Sequence, residues 1–174
     1  MNTHTTLPRH EVLAIGVDVH KDTHTAVATS AFGETLFKKV IANSKEDFRN
    51  LVATAKKVSK DYSLLPVFGL EDSYGNGLRL AHYLSTQGLT VKMVPPVLTD
   101  QFRKYETHPE KNDSLDALAA ARVLIQRIDT LPAYTITEQD ELAKEIKELS
   151  LDREFLVKEQ TRIKNQLHRL LHKA

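Results

Sequence analysis

Four acidic side chains stand where an acid is costly. Asp18 closes the apolar run that begins at Val12, and Glu71 follows the shorter run Leu65 to Leu70. Asp113 and Asp116 open a segment in which Leu115, Leu118, Ala119, Val123 and Ile125 fall at helical spacing. An ionised carboxylate so close to a core must be paired or bound to a metal. The three-residue separation lets Asp113 and Asp116 project from one face of a helix, and neighbouring central strands would set Asp18 and Glu71 side by side. Four hard oxygen ligands, in a chain without cysteine, favour Mg2+ or Mn2+ over zinc. Two such ions about 3.5–4 Å apart can activate the attacking oxygen and stabilise the leaving oxygen of a phosphodiester. That is chemistry for cutting or joining a nucleic-acid strand.

Each acid also has a plainer role open to it. Asp18 can serve a turn or an ion pair, and Glu71-Asp72-Ser73 can be the start of a loop. Asp113 can cap a helix, and Asp116 can answer the helix dipole. Order and context are more specific than any one residue. His20 and Lys21, directly after the first acid, are candidates for contact with a scissile phosphate, with solvated turn residues as the alternative. Lys111 precedes the third acidic block.

The elements that must carry these residues follow from the pattern. Val12 to Asp18 reads as a strand buried on both faces. His24 to Ala31 and Thr35 to Ile41 read as two more strands around the turn Phe32-Gly33-Glu34, forming an antiparallel meander. Ser44 with Asp47 predicts a helix start, and the helix runs to about Lys60. A strand over Leu65 to Leu70, a helix from Leu78 ending at Gly88, and a strand over Thr90 to Val94 follow. A short helix over Val97 to Tyr105 and another from Asp113 to Arg127 complete the set. Leu131-Pro132-Ala133 looks like a connector. The alternation implies an α/β domain on a mixed sheet.

Glu138 to Ala174 is organised differently. Leu142, Leu149, Leu156, Ile163 and Leu170 recur every seven residues, and Ile146, Arg153, Gln160, Leu167 and Ala174 complete a heptad seam. A single helix of that length would extend about 50 Å, which suits a coiled coil between chains or a hairpin in a larger protein. A helix lying on its own domain is the alternative. Arg153, Lys158, Arg162, Lys164, Arg169 and Lys173 outnumber Glu154 and Glu159 in its second half. Such an excess can grip a nucleic-acid backbone; a solvated face is the other use.

The composition sets bounds. With 24 basic and 23 acidic residues among 174, the formal charge is +1, so nucleic-acid affinity must come from local asymmetry. An aromatic content of 6% disfavours a base-stacking platform. The absence of cysteine excludes a disulfide scaffold and suits a reducing cytoplasm. No apolar run approaches the roughly 18 residues of a membrane span, and residues 1–11 read as a flexible leader without a signal peptide's apolar stretch.

Three blocks together resemble a known family: Ile15-Gly16-Val17-Asp18-Val19-His20-Lys21, Gly69-Leu70-Glu71-Asp72-Ser73-Tyr74-Gly75 and Lys111-Asn112-Asp113-Ser114-Leu115-Asp116-Ala117. They are similar to the acidic blocks of the DEDD transposases of the insertion-sequence "one-ten" family, related to the Piv/MooV invertases. The resemblance implies an RNase H-like (RuvC-like) catalytic domain over residues 12–134, with a five-stranded mixed sheet and flanking helices, then a coiled-coil dimerisation helix over 135–174. It implies a metal-binding tetrad of Asp18, Glu71, Asp113 and Asp116, with nucleic-acid contacts expected from His20, Lys21, Lys111, Arg162, Lys164 and Arg169. It implies DNA strand cleavage and transfer on donor and target DNA, guidance by a structured RNA, self-association, and a bacterial or archaeal cytoplasm. Family members carry a second domain with a catalytic serine. This chain is expected to lack that domain, since Ser73 and Ser114 do not stand in its context.

Other functions remain open at this point. They are a Holliday-junction resolvase, a non-catalytic nucleic-acid scaffold that dimerises, and an actin-like ATPase or sugar kinase. The last is disfavoured because Val19-His20-Lys21 follows Asp18 in place of a phosphate-binding Gly and Thr.

Overall fold

The computed structural model describes residues 8–105, 112–135 and 138–171. Two compact units emerge, Met1–Thr135 and Ile136–Ala174. The first begins with strands β1 (Val12–Val19), β2 (Thr23–Thr29) and β3 (Thr35–Ala42), followed by helix α1 (Lys45–Tyr62) and strand β4 (Leu65–Leu70). Helix α2 (Leu78–Thr86), strand β5 (Thr90–Met93), and helices α3 (Pro96–Tyr105) and α4 (Asp113–Arg127) complete it. The strand order is β3-β2-β1-β4-β5. The first three strands are antiparallel, and β4 and β5 run parallel to β1. This is the mixed five-stranded sheet with flanking helices expected from the sequence.

β1 is the centre, and every one of its residues is buried. Its side chains alternate between two cores. Leu13, Ile15, Val17 and Val19 pack with Phe48 and Leu51 of α1 and with Leu80 and Leu84 of α2. Val12 and Ala14 pack on the other face with Ala120, Ala121 and Leu124 of α4. Each fully buried Leu or Ile here contributes about 1.5–3 kcal/mol of transfer free energy.

Helix starts are set by their caps. The Ser44 side chain accepts from the Asp47 amide at the head of α1, as the sequence predicts. The Asp47 carboxylate turns back to accept from the Ala42 amide at 2.7 Å, which welds the end of β3 to the helix. At α4 the cap is Asn112, whose side chain accepts from the Ser114 amide at 3.0 Å.

Two expectations need correction. Arg9–Glu11, placed in a flexible leader, form a 3-10 turn running into β1, and Arg9 lies 3.3 Å from the carboxylate of Asp129. Residues 1–7 are outside the described residues. The connector at residues 131–133 also does more than connect. Ala133 bridges Lys92 antiparallel, the Met93 amide donates to Pro132 O, and the Tyr134 amide donates to Val91 O, both at 2.9 Å. The chain therefore returns along the outer side of β5, and Tyr134 is buried.

The described residues of the second unit form helix α5 (Glu138–Leu171). Ile146, Leu149, Leu156, Ile163 and Leu167, all on the heptad seam, are exposed. Ala174 lies outside the described residues. Among the described residues, no helix is long and apolar enough to cross a membrane.

Candidate metal centre

The acidic cluster is built at the C-terminal end of β1. Alternation puts Asp18 on the same face as Gly16, and Gly16 faces α4: a Cβ there would overlap the backbone of Ala117 and Ala121. Glycine on the strand and alanine on the helix thus let α4 approach the sheet closely. The close approach carries the first turn of α4 over the end of β1. Because Asn112 takes the cap, Asp113 is the first helical residue, and its carboxylate is not spent on capping. The amide-rich helix end also favours negative charge on Asp113 and Asp116.

Asp18 is 8% exposed and Asp116 is 7% exposed, whereas Asp113 is exposed. Burial pushes the Asp18 carboxyl above the ordinary carboxylate range. His20 opposes that rise, while the charges of Asp116 and Asp113 add to it. Asp116 therefore lies close enough to act on Asp18 through space.

His20 completes the cluster. Its Nε2 lies 3.0 Å from Asp18 Oδ2 and 3.6 Å from Asp113 Oδ1. One donor atom each from Asp18, His20 and Asp113 lie within 4.8 Å of one another. Asp18 Oδ2 is buried without a well-aligned hydrogen-bond partner, and the group beside it is the half-exposed His20 imidazole. A buried carboxylate oxygen in that setting, flanked by two further carboxylates, fits a divalent cation as a further partner.

The other expected residues distribute as follows. β1 and β4 pair in parallel as far as Val17 and Leu70. Glu71 thus takes the next register position, beside that of Asp18, and is half-buried. Lys21 is exposed in the β1–β2 turn, where its carbonyl accepts from Asn43 Nδ2 at 2.9 Å. Lys111 lies outside the described residues. Lys164 and Arg169 are exposed on α5. Arg162 is engaged on the same helix, donating to Glu159 Oε2 at 3.1 and 2.9 Å. The sequence missed the approach of the His20 ring to the carboxylates, because it depends on where the β1–β2 turn meets α4. The only signal available was position, two residues beyond the first acid.

The sequence matches the model of the IS110-type DEDD transposases, a family described as "Transposase", over residues 15–174. The chain belongs to that family. A relative, the "Insertion element IS116 uncharacterized 44.8 kDa protein" of Streptomyces clavuligerus, is 28% identical over 163 residues. That match covers 94% of this chain and 39% of the relative, so the chain spans about two fifths of the length of the curated relative it matches.

Two solved structures of Thermus thermophilus RuvC are also similar. The one in complex with a Holliday junction substrate is 15% identical with a TM-score of 0.48, covering 71% of this chain and 99% of RuvC. The other is 15% identical with a TM-score of 0.47, covering 69% and 98%. The family's name counts four acids, and three of this transposase's four candidates, Asp18, Asp113 and Asp116, gather at one end of β1.

Proposed function

We propose that this chain is the metal-dependent catalytic part of a transposase that cleaves and transfers DNA strands. The observation that carries the proposal is the buried Asp18 Oδ2, which has no well-aligned hydrogen-bond partner and lies among the charges of His20, Asp113 and Asp116. Asp18, Glu71, Asp113 and Asp116 hold Mg2+ or Mn2+; Glu71 enters on register, the other three on proximity. Bound ions of this kind activate an attacking oxygen and stabilise the leaving oxygen of a phosphodiester. The protein's part is to fix the ligands: β1 is locked between two cores, and α4 is locked against Gly16. Lys21 and Lys111 are the candidates for positioning the DNA backbone, which a lysine does as a point charge.

Residues 12–134 form the catalytic domain in this proposal, and residues 135–174 the self-association helix. The exposed apolar seam of α5 supports pairing with a second copy, since such a stripe is stable in water only when covered. Lys164 and Arg169 on α5 are candidates for a nucleic-acid backbone, with Arg162 available only by leaving Glu159. Guidance by a structured RNA, and a bacterial or archaeal cytoplasm, come from the family resemblance.

Calorimetric titration of Mg2+ and Mn2+ into the wild-type chain and Asp113→Asn, with a DNA duplex present, tests this directly. Wild-type binding that disappears in the variant is expected. Identical traces would make the acids structural and end the proposal.

A further inference from the structure

The nitrogen of His20 stands at ligand spacing from two of the carboxylates. Donor atoms about 2.1 Å from a common ion are about 3.0 Å apart when adjacent in an octahedron and about 4.2 Å apart when opposite. His20 Nε2 stands 3.0 Å from Asp18 Oδ2 and 3.6 Å from Asp113 Oδ1, inside that span on both sides. The turn that carries the ring is also tied down. The His20 amide donates to Thr23 O at 3.1 Å, and the Asn43 amide donates to Asp22 O at 2.8 Å. The Asn43 side chain donates to Lys21 O. Four residues of turn are thus tied to each other and to the end of β3, so the imidazole is presented without the cost of ordering a loop.

The second observation is the Asp18 oxygen itself. It is buried without a well-aligned hydrogen-bond partner and stands 3.0 Å from the imidazole nitrogen. That separation is the one two adjacent ligands of a single ion would have.

Resting on the reading of this cluster as a metal centre, we propose that His20 is a nitrogen ligand of that centre and makes it prefer Mn2+ to Mg2+. Mg2+ takes oxygen donors and keeps its waters. Mn2+ shares the oxygen donors of Mg2+ and is the weakest binder of the first-row divalent ions, but as a transition ion it accepts an imidazole nitrogen more readily than Mg2+ does. An oxygen-only set would accept either ion; one imidazole moves the choice.

The test uses the whole chain and the metal ions alone. Free Mn2+ is followed by electron paramagnetic resonance, and Mg2+ by competition against it. Pulsed measurements on the Mn2+-loaded chain are expected to show nitrogen hyperfine coupling, lost in His20→Ala. Mn2+ affinity in that variant is expected to fall by at least about tenfold while Mg2+ affinity changes by less than about twofold. His20→Asp, which restores an oxygen donor, is expected to bind Mg2+ more tightly than His20→Ala. His20 is half exposed, so both variants should fold, which their melting curves check. Wild-type Mn2+ binding without nitrogen coupling, or an Mn2+/Mg2+ ratio unchanged in His20→Ala, overturns the role of His20 while leaving the carboxylate site standing. A wild-type chain that binds neither ion, alone or with duplex DNA, overturns both.

Discussion

Gly16 on β1 and Ala117 on α4 are in backbone contact, with no space for a Cβ on the strand residue. This contact sets how close α4 comes to the sheet. It therefore sets where Asp113 and Asp116 stand relative to Asp18. Gly16→Ala should push the helix outward, because the obstruction is main chain and cannot rotate away. We expect a loss of about 1–3 kcal/mol in urea unfolding and weaker binding of Mn2+ to the folded protein. Unchanged stability together with unchanged metal affinity would refute this account of the helix position.

Asp18 carries a cost in the metal-free protein. Its carboxyl titrates above the ordinary range, chiefly because of burial, so the folded state holds the proton more tightly than the unfolded chain. The stabilisation from that proton is full below the unfolded pKa and is lost as pH rises through the folded value. At neutral pH the ionised side chain therefore opposes folding. Asp18→Asn should melt higher than wild type at neutral pH in the presence of a chelator. The order should reverse with saturating Mn2+, because only the wild type gains from binding. Equal melting temperatures under both conditions would mean that Asp18 is satisfied by protein alone.

His24 predicts sensitivity to acid. It is fully buried, stacked on Phe48 with ring centroids 6.0 Å apart, and neither ring nitrogen has a hydrogen-bond partner. Burial lowers its pKa, opposed in part by the neighbouring Asn43 side chain and Thr23 backbone. The unfolded chain then takes up the proton first. Stability is complete above the unfolded value and falls as pH drops toward the folded one. Thermal melts between about pH 8 and about pH 5 should show wild type losing more stability than His24→Leu. Parallel curves for the two proteins would rule His24 out as the source.

The seam of α5 can be tested apart from catalysis. Leu156 is 65% exposed and sits at the centre of the heptad run. Leu156→Asp should lower the sedimentation coefficient to that of a single chain, with helix content reduced because an unpaired helix of this kind is marginal. Wild type that already sediments as a single chain would refute self-association through this helix.

The fold was readable where residue types left one choice. An unbroken apolar strand ending on an acid fits only the centre of a sheet, and Ser44 with Asp47 fits only a helix start. The pairing of residues 131–134 with β5 was not readable. The segment is too short to show alternation, and Pro132 removes an amide, so nothing local separates a paired return from a loop. Gly16 gave no warning either, since glycine in a strand marks a bulge as readily as a close helix contact. Asp113 illustrates the remaining ambiguity: beside Asn112, either residue can cap, and only the structure shows Asn112 doing so. His20 was visible as a neighbour of the first acid but not as a member of the cluster, because its proximity to Asp113 spans most of the sequence.

The return of residues 131–134 along β5 leaves the sheet asymmetric: among the described residues of the first unit, β3 pairs on one side, with β2. Leu36, Phe37 and Val40, none of them fully buried, would make its other border adhesive toward any other extended chain, including a nascent copy of the same protein. Lys38 and Lys39 separate Leu36 and Phe37 from Val40. Lys39 donates to Asn50 O and Thr54 Oγ1 of α1, while the exposed Lys38 repels an incoming copy that brings the same charge. One border is thus shielded by backbone and the other by charge, which lets the sheet form without recruiting its neighbours into an aggregate.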